Sequence, residues 1–115
     1  MYLEKDKDIS VHTQLVGATA TGAAASSVDT LTADGKAHQI ILVVTGTGAQ
    51  TVKLEHSDDN TTFTDMGAEV TTTANNAGMV LAKYPKRYVR ANATTVESTT
   101  VVDASILLTG YDNVT

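Results

Sequence analysis

Three observations predict an all-β fold, a two-sheet β-sandwich of jelly-roll-like or immunoglobulin-like order with seven to eight short strands. Apolar and polar residues alternate over short runs, turn-forming residues separate the runs at nearly regular spacing, and no stretch carries a helical period. Threonine is conspicuous throughout, and its β-branched side chain suits a pleated, half-buried surface.

Along the chain, residues Met1 to Asp8 mix charges without periodicity and read as an end that orders on a neighbour. Ile9, Val11, Thr13 and Leu15 then alternate with Ser10, His12 and Gln14, the pattern of a half-buried strand. Gly17 to Ser27 is almost wholly Gly, Ala, Ser and Thr, and reads as a loop, an irregular edge strand or an arm lying flat on another subunit. The expected division is therefore an N-terminal segment, 1–27, partly an extended arm with one early strand, and a β-sandwich domain, 28–115.

Val28–Ala33 and Ala37–Thr45 flank Asp34-Gly35, a dipeptide suited to a tight turn, and predict a hairpin. Ile40 to Val44 is an unbroken apolar run, which implies burial on both faces at the centre of a sheet or under a neighbour. Val52 and Leu54 alternate with Lys53 and Glu55 in the next strand, and Ser57-Asp58-Asp59-Asn60 supplies a turn through short polar side chains. Further strands follow at Glu69–Thr73, Met79–Tyr84 and Tyr88–Ala93, with Pro85 at a strand-to-strand crossing. In the long last strand Val102, Ala104, Ile106 and Leu108 oppose Val101, Asp103, Ser105 and Leu107.

The chain has 115 residues, enough for one domain, but Trp is absent and Phe63 is the only Phe. The core is accordingly thin, built of Val, Leu, Ile, Ala and Thr methyls, and assembly would add stability. A net charge of −5 argues against nucleic acid as a partner. No cysteine is present, so disulfides, thiolate nucleophiles and sulfur ligands for zinc are excluded. The N-terminus lacks the apolar run of a signal peptide, and no segment approaches the roughly 18 apolar residues of a membrane span.

No constellation for chemistry emerges. His12, His38 and His56 fall on different predicted strands without metal-pair spacing, so no metal is expected. Asp58, Asp59, Asn60 and Asp65 lack the central Gly and terminal Glu of a calcium loop and read as turn chemistry. No Gly-x-Ser-x-Gly turn holds a nucleophile, so neither an enzyme nor a cofactor is expected. Lys83, Lys86, Arg87 and Arg90 form a small basic cluster around Tyr84 and Tyr88, read either as a solvated edge or as a contact to an acidic neighbour.

The run VKLEHSDDNTTFTDM, a Thr-rich strand, a Gly turn and KRYVRANAT before a final apolar strand resemble small β-sandwich structural proteins of tailed bacteriophage virions. The matching positions are Val52, Leu54, Ser57, Asp59, Phe63, Thr64 and Asp65, then Arg87, Tyr88, Val89 and Arg90; Asn60 stands where Gly is usual. The resemblance covers about two thirds of the chain and carries no catalytic residue. It implies a capsid decoration or cement protein, made in the host bacterial cytoplasm and located on the virion's capsid surface, that strengthens contacts between major capsid subunits. The expected partners are the major capsid protein and copies of the chain itself, a trimer being one arrangement. The interface residues expected are Ile9, Val11, Leu15, Lys86, Arg87, Tyr88 and Arg90. The alternative is a tail or head-fibre module that binds a receptor or carbohydrate.

Overall fold

A computed structural model describes residues 9–30, 39–73, 76–83 and 85–109. The alternating runs form strands β1 (Ile9–Ala18), β2 (Gly22–Ala23), β3 (Val28–Asp29), β4 (Gln39–Gly46), β5 (Gln50–Ser57), β6 (Thr64–Thr72), β7 (Asn76–Lys83), β8 (Tyr88–Val96) and β9 (Val102–Thr109). All pairings are antiparallel. The first sheet runs β1-β9-β4-β7; the second runs β2-β8-β5-β6, with β3 also on β8.

Gly22 pairs with Ala93 and Val28 with Val89, so β2 and β3 lie at successive positions along one edge of β8. Counted together as one interrupted strand, they give the eight-stranded order of a jelly roll. Only β5 and β6 are consecutive strands that pair with each other; the connections β4–β5, β6–β7, β7–β8 and β8–β9 all pass between sheets.

The arms of the expected Asp34-Gly35 hairpin belong to different sheets. Val28 and Asp29 pair with β8, whereas β4 pairs along its whole length with β7 and β9. Two full-length ladders that bury Ile40, Leu42 and Val44 outweigh one local pairing, even with a favourable turn dipeptide between the arms. The turn itself lies outside the described residues. Similarly, β1 and β2 take Ile9–Ala18 and Gly22–Ala23 into the two sheets, which therefore run without a break across residue 27. The charged segment 1–8 is outside the described residues.

The core lies between the sheets. Ile40, Leu42, Val44, Val102, Ala104 and Ile106 from the first sheet meet Val52, Leu54, Val70, Val89, Ala91 and Ala93 from the second. Among the described residues no aromatic ring enters this cluster, and β8 contributes mostly methyl groups, so the layer is thin. At one margin β6 and β7 come especially close: a Cβ on Gly78 would sit 2.6 Å from Val70 Cγ1. Across from Lys53 and Glu55, β6 takes four steps from Glu69 to Asp65, a bulge in which Gly67 adopts φ +84. Asp65 Oδ1 accepts from Gly67 N at 2.7 Å and holds it closed.

Candidate interaction faces

The β5–β6 turn shows how locally the polar residues are spent. Ser57 Oγ accepts from Asp59 N at 3.2 Å and Asn60 N at 3.0 Å, while Asp59 Oδ1 accepts from Thr61 N and Thr62 N, each at 2.9 Å. These donors, those of Thr62 and Thr61 first and then the Ser57 hydroxyl, hold the Asp59 carboxyl at about 2. Asn60 takes the left-handed conformation, φ 62, that the usual Gly would adopt freely. Asp59 is therefore a structural acceptor of the turn.

Outside the core, the second sheet is a lattice of paired charges. Lys53 Nζ lies 4.0 Å from Glu69, its register partner on β6, and 3.3 Å from Asp65, the register partner of Glu55 across the bulge. Glu55 is 16% exposed and accepts from Arg90 Nε at 2.7 Å and Asn92 Nδ2 at 2.9 Å. Arg87 binds both Asp29 oxygens, at 2.9 and 3.0 Å, and stacks 5.2 Å from the centre of the Tyr88 ring. Lys86 is 3.7 Å from Asp58, and its backbone N donates to His56 Nδ1 at 3.2 Å. Burial, then the Lys86 charge, lower the His56 pKa, opposed by Asp58. Lys86, Arg87 and Arg90 of the basic cluster read from the sequence are thus paired within the molecule, while Lys83 lies on β7 of the first sheet.

The outer face of the first sheet is built from different material. Register places Val11 opposite Leu107, Leu107 opposite Ile41 and Ile41 opposite Leu81, one apolar row across all four strands. The next row is Thr13, Ser105, Val43 and Met79. Val11 is 63% exposed, Met79 68% and Leu81 51%, and Val16 of β1 is exposed too; these are the large exposed hydrophobics among the described residues, and all belong to this sheet. Exposed apolar residues gathered on contiguous positions, unlike single scattered ones, are a property of interaction surfaces.

The expected interface residues do not form one surface. Val11 stands on the apolar row, while Leu15, beyond a bulge in β1, turns inward opposite Ala104 and packs on the core. Ile9 pairs with Thr109 at the end of the same edge strand. Lys86, Arg87, Tyr88 and Arg90 lie on or beside β8, in the opposite sheet. As expected, Val89 and Ala91 face inward there. Ile41, Val43, Met79, Leu81 and Leu107, which share the outer face with Val11, are not among the expected interface residues. The unbroken run from Ile40 was their signal, since only one of its two faces is used inside the molecule.

A cavity of about 410 Å³ opens between Ala24–Ser27, Asn60, Phe63 and Arg90. The Arg90 guanidinium lies 4.0 Å from the centre of the Phe63 ring and occupies a face on which a flat ligand would stack. Among the described residues no group of three or more His, Asp or Glu could hold a metal.

No protein-family model matches the chain, and no curated protein does. Among solved structures it is similar to the PBSX exported protein XepA, with a TM-score of 0.69 and 17% identity over 100% of this chain. The chain spans 42% of the length of that protein. It is also similar to the SPBc2 prophage-derived protein YomS (TM-score 0.61, 15% identity, 89% of this chain and 94% of that one). A third likeness is to the CBM22-1-GH10 modules of Clostridium thermocellum xylanase 10B (TM-score 0.52, 16% identity, 94% of this chain and 25% of that one). At these identities the likeness is one of fold alone, an all-β sandwich.

Proposed function

We propose that this chain is a non-catalytic structural subunit of a tailed-phage particle, working as a decoration or cement protein on the capsid. The observation that carries this reading is the apolar outer face of the first sheet, with Val11, Ile41, Val43, Met79, Leu81 and Leu107 on contiguous positions. Such a face is an assembly surface: covering it removes exposed hydrocarbon from water and supplements a thin core. The fold shared with the PBSX exported protein XepA and the SPBc2 prophage-derived protein YomS supports the phage setting, and the sequence resemblance to virion sandwich proteins supports the capsid position. The partners in this reading are the major capsid protein and further copies of the chain.

The carbohydrate-binding alternative draws on the cavity at Phe63 and on the fold of the xylanase module. Arg90 lies over the single ring that lines the cavity, so the stacking platform such modules need is taken. The assembly reading is therefore preferred.

Mass spectrometry of particles purified from a host that produces the chain tests the proposal. A fixed ratio to the major capsid protein supports it. A fixed ratio to a tail protein moves the chain to the tail, and absence from the particles overturns the reading.

A further inference from the structure

We infer that the partner on the first sheet's outer face is a second copy of this chain, so that the protein is a face-to-face dimer. This rests on the reading above of that face as the assembly surface. Three properties of the face favour a copy of itself.

The first is charge. The chain carries a net charge of −5, so two copies repel over most of their surfaces. On the described outer positions of the first sheet the charged residues are Lys83 and Asp103, one of each sign, and the face is neutral.

The second is their placement. Lys83 lies opposite Gln39 at one end of the rows, and Asp103 lies opposite Thr45 at the other. A twofold axis running across the strands, between the Ile41 row and the Val43 row, reverses the strand direction of the copy. The Asp103 end of each copy then lies over the Lys83 end of the other, with the two charges offset sideways by two strand spacings, ~10 Å, while the apolar rows meet at the centre.

The third is area. Four strands at ~4.8 Å spacing and eight residues at ~3.3 Å give a face of roughly 500 Å². Two such faces bury on the order of 1,000 Å², the lower bound of a specific interface. Sheets also stack well on sheets, about 10 Å apart and with strands inclined by about 30°. The dimer expected is therefore reversible, since its area sits at that lower bound.

Size-exclusion chromatography with light scattering on the full chain, followed by sedimentation over a concentration series, tests this. The wild type is expected at twice the 12.0 kDa chain mass. Leu81→Asp is expected to raise the dissociation constant at least a hundredfold, because each dimer contains the substituted position twice. Thr71→Asp, on the outer face of the other sheet, leaves the dimer intact. If Leu81→Asp fails to fold by circular dichroism, Met79→Lys gives the same readout.

A monomeric wild type overturns the inference and assigns the face to an unlike partner; a trimeric mass, or a Leu81→Asp variant that stays dimeric, also overturns it. The particle assay is independent of these outcomes. A monomer that is nevertheless found at fixed ratio in particles, and whose Leu81→Asp variant is lost from them, would refute the dimer and leave the assembly face standing.

Discussion

At the middle of the second sheet's outer face, Lys53 stands between Asp65 and Glu69, and Glu55 holds Arg90 and Asn92. The corresponding middle of the first sheet holds Leu107, Ile41 and Val43. Both sheets are antiparallel and cover the same core, so core packing does not explain why their outer sides differ. The charged side is complete within one molecule, each cation having found its anion. The apolar side has no such completion. The contrast separates side chains that pair within the molecule from apolar side chains that the molecule leaves exposed.

Breaking the charged side is expected to have the largest effect on stability. Glu55→Ala leaves Arg90 and Asn92 without their shared acceptor in a site where the Glu55 side chain is 16% and the Arg90 side chain 29% exposed. Allowing for that residual exposure, the loss is about 2 kcal/mol, read as a lower urea midpoint with an unchanged slope. By contrast, Leu81→Ser on the apolar side should alter monomer stability by no more than about 0.5 kcal/mol while removing the chain from particles. Equal losses of stability for the two variants would erase the distinction between the faces.

A pH series sharpens the same comparison, because the resolved shifts among the described residues lie on the second sheet and its turns. The His56 pKa is depressed, so the folded state favours the neutral ring, whose Nδ1 accepts from Lys86 N. Its contribution is present above the ordinary value of 6.5 and declines as pH falls below it. Thermal melts between about pH 8 and 5 should show that decline, and a His56→Asn variant should flatten it. Asp59 has the same sign at lower pH: its contribution is full above 3.8 and is lost as pH falls toward about 2. Asp59→Ala should therefore reduce the steepness of acid unfolding.

The smallest effect is expected at Asn60. Asn60→Gly relieves the left-handed backbone but removes the acceptor of the Ser27 hydroxyl, 2.5 Å away. The two changes oppose each other, and the melting temperature should move by the equivalent of less than about 0.5 kcal/mol.

Much of this was legible from the chain alone. Alternation placed Val52, Leu54, Val89, Ala91, Val102, Ala104 and Ile106 on the inner faces, where they are buried. The Ser57–Asn60 turn, with its short polar side chains, lies where the composition put it. The arms flanking Asp34-Gly35 join different sheets, because a good turn dipeptide says nothing about which ladder its arms will join. The basic cluster around Tyr88 looked available because the sequence does not show that Asp29 and Glu55 reach Arg87 and Arg90.

Local chemistry by itself determined most of the strands, the inward positions of those that alternate and the Ser57–Asn60 turn, because a period of two and short-range hydrogen bonds are written within a few residues of each other. Strand order was decided only in three dimensions. The same alternating run can serve as an edge or a centre, and the choice depends on partners far along the chain. That choice set Val11, Ile41, Leu81 and Leu107 side by side in one row.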